Sequence, residues 1–355
     1  MLLVRARLVG IGPFDDTTFA FGEPDARPRP VTVVIGGACS GKTSLLAAIA
    51  STRPGHAVAQ LTGRAESGTP GHAVTEWHLG DDDPARPHAL RVASPNAKTD
   101  EGEDVALVRR REQTLYDRRA GEGGFAFLAF SGARWFSRTP VTLATPDRTI
   151  LRYDVRGTTS FDDASRADLT REAKQAIAFA SVGAALAAQR AGEAAAEGAH
   201  ARLVRFCAAM NAAVSAVLED TGFTYDGVDP ARLEPVFVEQ GGGLVLFDDL
   251  PRGLRHAVAF AALPLRVLCA AYPERDPRSA EGLVLVDDAE VQLPLAHQRT
   301  LVPRLRRALP GVQWIVTTAS PAVAEGAETG EVIALRRSPG SSRIEIYDGP
   351  SAILH

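Results

Sequence analysis

The residues with the clearest chemistry are Gly36-Gly37-Ala38-Cys39-Ser40-Gly41-Lys42-Thr43, which fit the pattern G-x-x-x-x-G-K-[ST]. A loop of this kind points backbone N–H groups at an anion. Lys42 adds a point charge for β- and γ-phosphates, and the Thr43 hydroxyl is suited to Mg²⁺. The pattern has force because of its setting. The β-branched run Val31–Ile35 before it reads as a buried strand, and Ser44–Ala50 after it reads as a helix. Gly36, Gly37, Ala38, Cys39, Ser40, Gly41, Lys42, Thr43 and Ser44 are therefore the candidate nucleotide-binding residues, with ATP and Mg²⁺ as the expected ligands.

A phosphate loop also needs a carboxylate to hold its metal, normally at the C-terminal end of a neighbouring buried strand. Leu283-Val284-Leu285-Val286-Asp287 supplies four apolar residues and then an acid. Asp287 is assigned with Thr43 to the metal. Asp288 and Glu290 are candidate catalytic residues that polarise an attacking water, the alternative being that one of them caps the next helix. Arg134, in Gly132-Ala133-Arg134 after the apolar run Phe125–Ser131, is placed to approach phosphate or to anchor a loop.

The elements that must position these groups follow in order. Residues 2–9 and 17–22 read as strands joined by a Gly/Pro/Asp turn. The first helix should stop at Thr52-Arg53-Pro54-Gly55. Between 56 and 125 the pieces Ala73–Leu79, Ala89–Ala93 and Val105–Arg110 are short and alternating, as in an antiparallel subdomain. Leu169–Arg190 is an alanine-rich helix, apolar almost all round, and is expected to be well covered. A second helix, Gly198 to Glu219, carries Leu203, Phe206, Cys207, Met210, Val214, Val217 and Leu218 on one face, as core packing does. Strands are expected at Pro235–Glu239, Leu244–Phe247, Gly282–Val286 and Gln313–Val316, with an edge hairpin of Val332–Leu335 and Arg343–Tyr347. An apolar helix runs to about Ala271 with a kink at Pro264, and Pro303 weakens the first half of the helix bearing Leu301, Leu305 and Leu309.

Composition narrows the function classes. The chain has 355 residues, 45% of them hydrophobic and 23% charged, with a formal charge of −4. That is ordinary for a soluble globular protein and gives no global attraction to nucleic acid. Only three lysines stand against many arginines, so arginine abundance alone says little about partners. The basic spots Arg109–Arg111 and Arg118-Arg119 are diluted by Glu112 and Asp117, as on a solvated surface. There is no run of 18 apolar residues, so no membrane span is expected. Cys39, Cys207 and Cys269 lack metal-ligand spacing and suit a reducing, cytoplasmic setting.

Taken together, the order of pieces resembles the ABC-type ATPase heads of the SMC/RecF/OLD branch, especially stand-alone "AAA family ATPase" proteins of bacterial conflict systems. The resemblance rests on GIGPFDDTTFAF, GGACSGKTSLLAAIA, the signature-like LPRGLRHAVA, LVLVDDAEVQLP and the switch-like VQWIVTTASP. These cover residues 1–55 and 230–325. The resemblance implies an α/β P-loop NTPase head of two lobes, with a central mostly parallel sheet, an antiparallel β subdomain and a short helical insertion in place of a coiled-coil arm. The implied division is 1–165, 166–220 and 221–355. It also implies that two heads, alike or different, close face to face over two ATP molecules. Arg252 and Gly253 of the signature-like segment would then cap the other head's γ-phosphate.

Five positions depart from the family pattern. Ala38-Cys39 replaces Asn-Gly, Pro251 replaces the signature serine, Asp288 replaces the catalytic glutamate, and Ala319 replaces the switch histidine. No lid-loop glutamine can be placed; Gln60 and Gln113 are guesses. The β-phosphate and metal apparatus is intact while the γ-phosphate chemistry is eroded, so ATP binding with slow or absent hydrolysis is expected. The resemblance implies a role in bacterial defence or a DNA-associated process, with a partner protein. The competing readings are a non-catalytic scaffold with ATP as a structural ligand, a repair-type ATPase stimulated by DNA, and, more distantly, a small-molecule kinase.

Overall fold

The computed structural model describes residues 1–22, 28–52, 71–78, 90–94, 114–115, 126–141, 169–190, 198–341, 343–349 and 352. Val105–Arg110, the arginine clusters at 109–119, Gln60 and Gln113 lie outside the described residues.

The core is organised on a six-stranded sheet. Its strands are β3 (Val31–Gly36), β6 (Phe127–Phe130), β10 (Gly282–Val286), β11 (Val312–Thr318), β12 (Val332–Arg337) and β13 (Ile344–Asp348), in the order β13-β12-β3-β11-β10-β6. All neighbours are parallel except the terminal pair β12–β13. Alternation of side chains explains why these runs are apolar throughout: both faces of a mostly parallel sheet are covered. Val31, Val33, Val284, Val286, Trp314 and Val316 enter one core. Val34, Leu283, Leu285, Ile315, Ile333 and Leu335 enter the core on the other face.

The second face is covered by α1 (Lys42–Ser51) and by a four-stranded antiparallel sheet of order β2-β1-β4-β5. These strands are β1 (Leu2–Ile11), β2 (Phe14–Ala20), β4 (His72–His78) and β5 (Leu90–Ala93). The α1 helix ends where Ser51 and Thr52 turn their hydroxyls back onto the carbonyls of Ala48 and Ile49, at 2.7 and 2.8 Å. Such back-bonding satisfies acceptors that the helix end leaves unpaired.

The first face is covered by helices α2 (Thr170–Arg190), α3 (Ala199–Leu218), α4 (Arg252–Ala271) and α5 (Leu295–Ala308). A small antiparallel sheet of β7 (Phe223–Val228), β8 (Pro235–Glu239) and β9 (Leu244–Leu246) joins them. A short α6 (Pro321–Glu325) follows β11. One expectation needs correction here. The α2 helix is covered along its first half only; its distal half exposes Leu186 and has an open face. Its many alanines give low apolar bulk on every side, which the periodicity registers as all-round hydrophobicity.

The α3 and α4 helices are long and apolar enough to cross a membrane by length and composition only. Burial accounts for that composition in α4, whose window is 89% buried. The α3 window is 39% buried, with Phe206, Met210, Val214 and Val217 on the face that enters the same core. Both prolines expected to disturb helices, Pro264 and Pro303, lie within continuous helical segments.

Candidate functional site

The parallel registers bring the C-terminal ends of four strands to one edge. Val286 is level with Phe130 on one side and with Val316 on the other, and Thr318 is level with Ile35. Ser131, Asp287, Thr317 and the phosphate loop therefore gather at the edge where α/β sheets hold their ligands.

Gly36 closes β3, and Gly37, Ala38 and Cys39 form the exposed crest of the loop. Gly41 caps α1 with φ 93°, a left-handed conformation suited to glycine. It also lies against Phe14, whose ring would be 2.6 Å from an added Cβ. Cys39, at the position where the family resemblance expects glycine, has φ 59°. The loop thus keeps the left-handed turn with a residue that pays for it in strain. Ser40 and Lys42 are buried, Thr43 and Ser44 half-buried. The Lys42 ammonium donates to the carbonyls of Gly36 and Gly37 at 2.7 and 3.0 Å.

Thr43 and Asp287, far apart in sequence, meet directly. The Thr43 hydroxyl donates to Asp287 Oδ2 at 2.8 Å, and the Thr317 hydroxyl donates to Asp287 Oδ1 at 2.5 Å. Thr317 Oγ1 in turn accepts the Asp288 N–H at 2.9 Å. A hydroxyl beside a carboxylate is a hard-oxygen donor pair of the kind Mg²⁺ takes together with phosphate oxygens. A Cβ on Gly37 would meet nothing within 4 Å, so space is open over the loop. The residues present fit a magnesium–phosphate group.

Asp288 and Glu290 have different surroundings. Asp288 is half-buried at φ 44°. Burial, then the negative charges of Asp287 and Glu290, push its carboxyl above the usual aspartate range. Glu290 is committed on both oxygens, accepting from Thr318 Oγ1 and from the Ala319 N–H, each at 2.7 Å. Its place is at the end of β11, where Ala319 stands without a side chain that can donate.

Arg134 anchors a loop, the second of its two sequence readings. It is 3% exposed and sits beneath the acidic segment. It donates to the carbonyls of Ser131 at 2.8 Å, of Asp287, and of Asp288 at 2.7 Å. Its Nε donates to His256 Nδ1 at 2.9 Å. Burial lowers its pKa to about 10, while Asp287, Asp288 and Glu290 oppose the shift. Sequence reasoning did not single out His256 or Thr317. Thr317 was legible in principle, as a hydroxyl residue on the buried strand next to the acidic one.

Pro251 caps α4, and Arg252 at its first turn is exposed. Gly253 is buried against the segment after the acids: an added Cβ would lie 2.5 Å from Gln292 O and 2.9 Å from Leu293 Cα. The α4 helix packs on the opposite sheet face from α1.

No protein-family model and no curated relative matches the sequence. Solved structures do. Ninety-eight per cent of the chain superposes on 99% of the SMC head domain from Thermotoga maritima, with a TM-score of 0.52 and 15% identity. The whole chain superposes on the whole of an SMC head bound to the C-winged helix domain of ScpA, with a TM-score of 0.50 and 12% identity. The fold is that of an SMC head domain, with a central mostly parallel sheet and flanking antiparallel sheets.

Proposed function

We propose that this chain is an ATP-binding head of the ABC type whose nucleotide state controls its pairing with a second head or a partner protein. The observation that carries the reading is the 2.8 Å contact between Thr43 and Asp287. It joins a phosphate-loop hydroxyl to a strand-end carboxylate across 244 residues of chain.

Gly36–Ser44 bind the phosphates through backbone N–H groups at the start of α1. Lys42 exchanges the carbonyls of Gly36 and Gly37 for phosphate oxygens. Thr43 and Asp287 hold Mg²⁺. Bound magnesium–ATP supplies a γ-phosphoryl group open to attack by water. Asp288 orients that water. Glu290, with both oxygens engaged, braces the end of β11 rather than the water. Arg252 and Gly253 serve the nucleotide of a second head, as the signature-like LPRGLRHAVA implies.

Hydrolysis is slow in this reading. Asp288 is one methylene shorter than glutamate, and Ala319 can neither donate to γ-phosphate nor orient water. Displacing a catalytic group by ~1 Å costs on the order of 10²-fold in rate. A solved head of this fold carries a winged-helix partner, which supports a partner protein here too. A cytoplasmic location and a bacterial defence or DNA-associated setting complete the proposal.

The test is ATP–Mg²⁺ binding and solution mass, with and without nucleotide, for wild type, Lys42→Ala and Asp287→Ala. Wild type binds and changes mass; each variant weakens binding by roughly 30-fold or more, the loss typical for truncating one member of a buried charged pair. Identical behaviour of all three proteins removes the reading.

A further inference from the structure

We propose that Arg134 is a positioning residue: its guanidinium fastens the peptide between Asp287 and Asp288 to the second turn of α4, so that metal carboxylate and signature-like helix are held as one unit. The assignment rests on the nucleotide reading of the site.

The geometry is a clamp on the peptide between Asp287 and Asp288 and on the carbonyl that follows it. The β10 strand ends at Val286, so the carbonyls of Asp287 and Asp288 lie beyond its ladder and need other donors. Arg134 Nη1 supplies the first, and Nη2 joins the Val291 N–H, at 3.2 Å, on the second. On the opposite side of the peptide between Asp287 and Asp288, the Asp288 N–H is held by Thr317 Oγ1 at 2.9 Å. Fixing both the C=O and the N–H of one peptide fixes where the side chains on either side of it point. That restraint is needed, because Asp288 has φ 44°, a conformation a non-glycine residue keeps only when its surroundings impose it.

The other edge of the guanidinium faces α4. Arg134 Nε donates to His256 Nδ1 at 2.9 Å, and the Phe260 ring, one helical turn on, lies 5.0 Å from the guanidinium carbon. Burial, then the charge of Arg134, lowers the His256 pKa to about 3. The ring therefore stays neutral with Nδ1 free to accept. One turn earlier, Gly253 lies against Gln292 and Leu293. The start of α4 is thus keyed to the acidic segment at two points, one direct and one through Arg134. Only a planar fork with several N–H groups can span these acceptors; a lysine ammonium cannot.

The experiment measures ATP affinity of the full chain by calorimetry with and without Mg²⁺, for wild type, Arg134→Lys, His256→Leu and His256→Asn, with thermal melting to show that each is folded. The readout is the gain in affinity that Mg²⁺ confers. Mg²⁺-free binding depends on the phosphate loop and stays at the wild-type value in all four proteins. Arg134→Lys lowers the Mg²⁺ gain by about 10–100-fold, the usual loss when a partner that orients a metal ligand is removed. His256→Leu lowers it too, and His256→Asn, which keeps an acceptor at the δ position, restores it. A folded Arg134→Lys with the full Mg²⁺ gain overturns the assignment. If Arg134→Lys does not fold, equal gains in His256→Leu and His256→Asn overturn it. A wild-type chain that binds no ATP removes the nucleotide reading itself, and is thereby distinguished from failure of the Arg134 assignment alone.

Discussion

At the phosphate-loop corner of the site, Lys42, Thr43, Asp287 and Thr317 already engage hydrogen-bonding partners that a magnesium–phosphate group can replace or share. At the opposite corner the side chains that would act on γ-phosphate are shortened, absent or occupied. Asp288 is the shorter acid, Ala319 has no donor, and Glu290 is tied to Thr318 and Ala319. Pro251 contributes neither hydroxyl nor N–H to the cap of α4. In the proposed reading, one corner keeps what holding a nucleotide requires, and the other lacks what cleaving it requires. Two corners of a site built on one sheet edge are therefore separable in chemistry even though they share a strand.

The largest expected effect breaks that contrast by rebuilding the weaker corner. The double variant Asp288→Glu, Ala319→His restores the longer base and an imidazole donor. Phosphate release in the presence of ATP and Mg²⁺ should rise by on the order of 10²-fold, the scale of a ~1 Å correction to a catalytic group. ATP affinity should change little, because neither residue belongs to the loop corner. An unchanged rate would place the defect in the pairing of two heads rather than in Asp288 and Ala319. A fast wild-type turnover abolished by Asp288→Asn would dissolve the contrast altogether.

The unequal legibility of the two corners in sequence has the same origin. The loop corner depends on contiguous residues: a strand, eight loop positions and a helix are read directly from local pattern, and β10 with Asp287 is read from four apolar residues followed by an acid. The fold followed from the order of those pieces, and the likeness to SMC heads extends over the whole chain. Contacts made by single residues from remote elements were not legible. Arg134 looked equally able to meet phosphate or hold a loop, because nothing local marks its approach to His256, 122 positions away. Glu290 looked like a free acid because its partner strand lies beyond the next helix. The half-open face of α2 was hidden by alanine, whose small side chain fits a core and a surface alike.

A smaller effect sharpens the contrast through pH. The unfolded chain carries His256 with an ordinary pKa near 6.5, while in the fold burial and the charges of Arg134 and Arg255 hold it near 3. Below pH 6.5 the unfolded chain therefore binds a proton that the native state refuses. Stability supplied by the neutral ring is complete above that pH and falls as pH drops toward the folded value, by about 1.4 kcal/mol per unit for one proton. Urea midpoints at pH 7, 6 and 5 should fall more steeply for wild type than for His256→Asn, which has no proton to gain. Parallel midpoints in the two proteins would show that the ring is not held neutral and that the junction between α4 and Arg134 is looser than its geometry implies.

The smallest effect lies in the loop corner. Cys39 is exposed and has φ 59°, so its side chain contributes little packing while its backbone occupies a region that disfavours a Cβ. Replacing it with glycine removes that penalty but gives the unfolded chain more freedom. Comparing Cys39→Gly with Cys39→Ala separates the terms: both remove the thiol, and only alanine keeps the Cβ. Glycine should be the more stable by about 1 kcal/mol, the usual cost of a left-handed non-glycine residue. ATP binding should survive both changes, because the loop holds phosphate with backbone N–H groups whose directions are set by φ and ψ rather than by the side chain at position 39. Equal stability of the two variants would mean that the loop relaxes away from the left-handed turn, and the loop corner would then be no better preserved than the corner it is contrasted with.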